Sequence, residues 1–203
     1  MPNILVLNGN PKSTSLTQAL AKDYVTSLDD SCDIQYFDLH NMQFDPNLHT
    51  GHDDEQLIES DLLTFQQALK QCDHFVIITP IWWGSMPAKL KGLIDRTLLP
   101  GFAFQYEKGK AFPKQLLKGR SARVICLMDT PPWYYRLIQR SPIIKELGKP
   151  ILEFVGFKLS GFTFFGPIIH SSVKQQLAWK QKMRLLAKQD ANIPTSRMKH
   201  SYS

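Results

Sequence analysis

The sequence predicts an α/β fold in which a five-stranded parallel sheet is covered by helices on both faces. Strand-like apolar runs alternate with amphipathic helix patterns along nearly the whole chain. The runs Asn3-Ile4-Leu5-Val6-Leu7 and Phe75-Val76-Ile77-Ile78 are apolar almost throughout, as strands buried on both faces must be. Loops rich in hydroxyls, tryptophan and proline follow the first, third and fourth strands, and right-handed crossovers bring all three to one carboxyl edge.

Each element has its own signal. After the first strand, Ser15 to Leu28 reads as a helix, and Asp33 to Leu39 alternates enough for a second strand. His40 to His52 is polar, contains Pro46 and Gly51, and reads as a long loop. Asp53 is placed to cap the next helix, which runs to about Gln71 with Leu57, Leu62, Phe65 and Leu69 inward. The third strand precedes a tryptophan loop, and Pro87 opens a third helix to Leu98, because a first helical turn does not need that N–H. Alternating aromatics from Phe102 to Tyr106 and a Lys-Gly turn suggest a small hairpin insertion outside the sheet. Ala122 to Met128 is a fourth strand, followed by the loop Asp129 to Tyr135; a helix then covers much of Leu137 to Phe154. Lys158 to Phe165 is a fifth strand, and Val173 to Lys188 a closing helix. One domain over 1–190 is expected, with a flexible polar tail from 191 to 203.

The chain of 203 residues is long enough to bury a proper core. Its apolar runs fall short of a membrane span, and it enters a strand at once without a secretory pattern. Cys32, Cys72 and Cys126 are too few and too scattered for a disulfide framework or a metal site, so buried thiols in a reducing cytoplasm are expected. The net charge of +6 has no nucleic-acid module or interleaved aromatics beside it; it suits an anionic donor such as NADPH and permits peripheral membrane association.

Two loops carry the chemistry. Trp82, Trp83 and Gly84 stand at the carboxyl end of a buried strand, where open α/β sheets bind planar ligands. Exposed aromatics and free amides there suit a flat, hydrogen-bonding ring such as a flavin. Asn10 to Thr17 holds hydroxyls at Ser13, Thr14, Ser15 and Thr17 just before a helix, a cradle for phosphate with Lys12 nearby. It has neither the Walker ending nor the G-x-G-x-x-G fingerprint.

Together, Trp82-Trp83-Gly84, Met86-Pro87-Ala88, Leu90-Lys91-Gly92, Asp95-Arg96, Pro100 to Phe104 and the hydroxyl loop resemble the flavodoxin-like NAD(P)H:quinone oxidoreductases. The likeness extends over most of residues 3–167. It implies a flavodoxin-like three-layer sandwich with strand order 2-1-3-4-5, and a homodimer with active sites at the subunit interface. It implies FMN, with FAD as the alternative, and NADPH or NADH as electron donor. By position, Asn10, Ser15, Leu16 and Thr17 match the phosphate and ribityl loop. Pro80, Ile81, Trp82, Trp83 and Gly84 match the segment around the ring, and Thr130 falls in a third flavin loop. The loop Thr130 to Tyr135 departs from the mammalian quinone reductases, which have a glycine-rich loop and a Tyr/His pair there. It looks closer to a bacterial branch with a proline-aromatic loop.

The reaction implied is hydride transfer from NAD(P)H to flavin N5, then two-electron reduction of a quinone or similar acceptor by a ping-pong mechanism. No side chain is assigned a catalytic role; Trp133, Tyr134 and Tyr135 are candidates for a substrate wall or for a dimer interface. Asp95-Arg96 reads as an ion pair or packing feature, and His74 and His170 as core or surface residues. Two other classes compete: a flavodoxin-type electron carrier, and a redox-sensing regulatory subunit of a membrane transporter.

Overall fold

A computed structural model of the chain describes residues 1–28, 30, 32–51 and 53–194. Its main sheet contains β1 (Asn3–Asn8), β2 (Asp33–Asp38), β3 (His74–Pro80), β6 (Ser121–Leu127) and β7 (Lys158–Phe165). The order is β2-β1-β3-β6-β7 and every neighbouring pair is parallel. This is the expected 2-1-3-4-5 arrangement of the main strands. β4 (Phe104–Gln105) and β5 (Lys114–Gln115) form the expected small antiparallel hairpin outside it.

β3 is buried along its whole length, which explains its unbroken apolar run. Successive side chains point to opposite faces of a strand, and both faces are covered. Leu5, Leu7, Phe75, Ile77 and Val124 meet α2 (Ser60–Gln71), α3 (Ala88–Thr97) and a π-helix at Ile144–Glu153. Ile4, Val6, Val76, Ile78 and Ile125 meet α1 (Leu16–Val25) and α5 (Val173–Ala191). Cys32, Cys72 and Cys126 are all buried, and burial pushes the Cys72 thiol up to about 12. No helix among the described residues is long and apolar enough to cross a membrane.

Two helices differ from expectation. α2 begins at Ser60 rather than Asp53, and Leu57 is exposed instead of facing inward. The cause is Arg96, fully buried on α3. Its guanidinium donates to the carbonyls of Asp45 (2.7 Å) and Leu57 (2.6 Å) and to the Glu59 carboxylate (2.9 Å). Those carbonyls are available only if the chain before Ser60 stays non-helical. The expected helix over much of 137–154 is present, wound as a π-helix over Ile144–Glu153; a separate α4 (Pro132–Leu137) comes before it, with Arg140 and Ser141 at φ 57° and 47° between the two. Pro150 supplies no N–H and crowds the preceding turn, and wider winding accommodates such a residue. α4 also takes up part of the expected Asp129–Tyr135 loop. α5 continues to Ala191, past the expected end at Lys188. Of the expected tail, residues 195–203 lie outside the described residues.

A buried polar cluster holds α5 in place. Arg123 on β6 donates to both oxygens of Asp190 at 2.7 and 2.8 Å, and the Tyr24 hydroxyl donates to Asp190 at 2.8 Å. His74, a core residue as expected, has Nδ1 2.8 Å from Ser121 Oγ and Nε2 3.3 Å from Asp190. Burial alone would raise the Asp190 carboxyl, but His74 and Arg123 outweigh it and hold it below the usual carboxylate range. A depressed folded value means that this stabilisation is present above the unfolded value, about 3.9, and is lost as pH falls through the folded one. Asp190→Ala strands the Arg123 guanidinium in the core and is expected to destabilise by about 3–5 kcal/mol in urea unfolding at neutral pH. The difference from wild type should shrink as the pH is taken below the carboxylate range; a difference independent of pH would contradict the assignment.

Candidate active site

The carboxyl ends of β1, β3 and β6 lie side by side, so the three loops that follow them share one edge of the sheet. The first begins at Gly9, whose N–H donates to Ile78 O at 2.8 Å across the β1–β3 seam. A Cβ on Gly9 would stand 2.9 Å from Leu90 Cδ2 and 3.2 Å from Thr79 Cβ, so a larger residue there would press on side chains of both β3 and α3.

Beyond Gly9 the loop is organised by amides. Asn10 is buried; its Nδ2 donates to Thr17 Oγ1 at 3.2 Å and its Oδ1 accepts from Lys12 N at 3.1 Å. Ser15 caps α1, its Oγ accepting from Gln18 N at 3.1 Å, and the first intrahelical bond is Ala19 N to Ser15 O. The amides of Leu16 and Thr17 then belong to the opening turn that has no intrahelical acceptor. Thr17 Oγ1 accepts from Asn10, which leaves its own proton for another acceptor. Two amides and two hydroxyls at the positive end of a helix form a cradle suited to an anion. Asp38, at the end of β2, secures this cradle: it accepts from Asn8 Nδ2, Gln18 Nε2 and the amide of His40.

The second loop is a tight turn. Trp82 N donates to Ser85 O at 2.8 Å and Ser85 N to Trp82 O at 3.0 Å, closing a two-residue reversal. Its central residues, Trp83 and Gly84, have φ of 51° and 85°, the pair of positive angles a type I′ turn requires. Their amides lie outside the closing pair. Trp83 is fully exposed and Trp82 is 41% exposed, whereas Pro80 is buried and Ile81 packs against the core. The two tryptophans therefore form a shelf at the sheet edge, beside the amide-rich turn.

That shelf is tethered from the third loop and the π-helix. Tyr135 donates its hydroxyl to Gly84 O at 2.8 Å and accepts from Ile143 N at 3.1 Å. Burial pushes the Tyr135 hydroxyl up to about 12, so it remains protonated and able to donate. Ser85 Oγ donates to the Glu146 carboxylate. Neither role is marked by a sequence motif. Tyr135 is fully buried, which removes it as a substrate wall; Trp133, 62% exposed, and the exposed Tyr134 remain, in edge contact with each other. Thr130 is half-buried. Its carbonyl would be 2.9 Å from a Cβ on Gly166, so the third loop packs directly on the end of β7.

A larger cleft of about 670 Å³ lies elsewhere, lined by Leu48, Gln66, Arg96 and Phe102 among others. None of the residues of the cradle or the tryptophan turn lines it. Its one buried cation, Arg96, is already engaged by two carbonyls and a carboxylate, whereas the sheet edge offers unspent donors. Asp95 pairs with Lys91 at 2.8 Å, so the Asp95-Arg96 pair is structural as expected, while His170 lies exposed.

A family model for the flavodoxin-like fold matches residues 2–188. The chain is 31% identical over 116 residues to an uncharacterized NAD(P)H oxidoreductase of Haemophilus influenzae, a match spanning 54% of this chain and 56% of that protein. It is 25% identical to the ribosyldihydronicotinamide dehydrogenase [quinone] of Pongo abelii, over 92% of this chain and 93% of the relative. A Bacillus subtilis protein provisionally named an NAD(P)H-dependent FMN-containing oxidoreductase is 26% identical over 93% of this chain and 98% of its own length.

Tyr135→Phe removes one donor and one acceptor, leaving Gly84 O and Ile143 N without that partner. A loss of about 1–3 kcal/mol in urea unfolding is expected, together with faster hydrogen exchange at the turn amides. Unchanged exchange there would show that the hydroxyl does not hold the turn.

Proposed function

The chain belongs to the flavodoxin-like fold family, and on that footing we propose that it is an NAD(P)H-dependent flavin oxidoreductase acting on quinones or similar two-electron acceptors. The observation that carries this reading is the pairing, on adjacent strands, of an anion cradle with an exposed tryptophan shelf. A phosphate-bearing planar ring needs both, and neighbouring strands about 4.8 Å apart put them within reach of one ligand. FMN fits the donor set: Asn10, Ser15, Leu16 and Thr17 would hold its phosphate and ribityl chain, and Pro80 to Gly84 with Thr130 its ring. FMN is preferred to FAD because nothing in the cradle calls for an adenylate, and a relative of nearly the same length is named for FMN.

When bound, the flavin supplies hydride exchange between NADPH or NADH and the acceptor, in alternating half-reactions. The protein's part is to bind, orient and polarise. Gly9 and Asp38 fix the cradle so that the Leu16 and Thr17 amides are oriented before the ligand arrives. The positive-φ turn leaves the Trp83 and Gly84 amides free to stabilise charge on a ring edge. Tyr135 and Glu146 hold that turn against displacement, and Trp133 and Tyr134 offer an aromatic border for a flat acceptor. Trp133, Leu137 and Ile138 form an exposed apolar group on α4 and just beyond it that a second copy of the chain would cover, consistent with a homodimer.

Thr17→Val keeps the volume of the side chain and removes its free proton. FMN affinity, read by quenching of flavin fluorescence, is expected to weaken about tenfold, roughly 1.4 kcal/mol, with a modestly lower Tm because Asn10 Nδ2 loses its acceptor. Initial rates at several quinone concentrations should give parallel double-reciprocal lines. Unaltered affinity in the variant would remove Thr17 from the cradle, and intersecting lines would exclude alternating half-reactions.

A further inference from the structure

The outer face of α5 takes no part in the core or in the candidate site. Met183, Leu186, Ala187 and Asp190 turn inward. With 3.6 residues per turn, Val173, Lys174, Leu177, Arg184, Leu185 and Lys188 fall on the opposite side, within an arc of roughly 120°. Val173 is 75% exposed, Leu177 54% and Leu185 56%, and the three cations between them are exposed as well.

The charge on this face is of one sign. Asp190 is the only acidic residue of α5, and it is buried against Arg123. Lys180, at the border of the face, is 3.4 Å from Asp23 of α1. Among the described residues, none of Lys174, Lys182, Arg184 or Lys188 has a carboxylate within salt-bridge distance. A solvated surface helix ordinarily mixes signs and keeps aliphatics on its inner side.

We propose that the outer face of α5 docks on an anionic lipid surface. The helix is about 28 Å long at 1.5 Å per residue. Its aliphatics are interleaved with its cations, so that Val173, Leu177 and Leu185 enter the headgroup boundary while Lys174, Arg184 and Lys188 meet lipid phosphates. Long cationic side chains can extend past neighbouring aliphatics to reach phosphates, so both kinds of side chain on this one face can engage the same surface. The inference stands on α5 alone and does not depend on which ligand occupies the sheet edge.

The test uses the full chain with phosphatidylcholine vesicles that contain or lack phosphatidylglycerol, the bound fraction being read by sedimentation. Binding about tenfold stronger to the phosphatidylglycerol vesicles is expected, reversed by high salt because exposed charges are screened. Arg184→Glu with Lys188→Glu should abolish it, and Leu177→Gln with Leu185→Gln should weaken it several-fold at low salt. Far-UV circular dichroism identical to wild type in each variant shows that the fold is kept. Equal binding to both vesicle types, or full binding by the charge-reversed variant, overturns the proposal. So does absence of binding to either, which would leave the face to solvent or to an acidic protein.

Discussion

The close approach at Gly9 is the constraint on which the site depends. The backbone after β1 lies so close to Thr79 and Leu90 that a methyl group on Gly9 would press on both side chains. The anion cradle and the tryptophan turn grow out of the two strands joined at that point. Because Thr79 belongs to β3 and Leu90 to α3, the first loop is placed relative to both the strand that carries the shelf and the helix that leaves it. A larger side chain there would strain the seam where the two halves of the proposed site meet.

Rigidity is then added from a distance. Strands β1, β3 and β6 supply a buried frame, but the turn at Trp83 and Gly84 projects from it and cannot be held by sheet hydrogen bonds. Tyr135 and Glu146 reach it from a stretch of chain with irregular winding. The kinked passage through Arg140 and Ser141, and the π-helix around Pro150, bring the two side chains to bear on the same turn. At the other edge of the sheet the Arg123–Asp190 pair fixes α5, so the helix ends inside the structure rather than fraying after its last apolar residue.

Much of this was legible in the sequence, for reasons that can be named. β1 and β3 announce themselves because strands covered on both faces admit few polar residues. The loops are legible because hydroxyls clustered before a helix and Trp-Trp-Gly after a buried strand stand out from their surroundings, although Ser15 also serves as a plain helix cap. What failed was whatever depends on a partner far along the chain. Asp53 has the chemistry of a helix cap, but Arg96, more than forty residues on, claims the Leu57 carbonyl and the Glu59 carboxylate, and the helix starts only at Ser60. Tyr135 sits in an aromatic loop that reads as a substrate wall; its burial and its bond to Gly84 follow from the path of α4, which no local pattern encodes. The amide cradle itself was only half visible, since Asn10 and Thr17 were evident but the part played by Asp38 from β2 was not.

The account rests on the sheet edge holding a flavin that NAD(P)H reduces. The most direct measurement is an anaerobic titration of the flavin-reconstituted protein with NADPH and then NADH, followed by a quinone, with the visible flavin absorption recorded throughout. Bleaching by at least one of the two nucleotides and full recovery on adding quinone is the predicted result. Failure to retain any flavin, or a bound flavin that neither nucleotide bleaches, would contradict it.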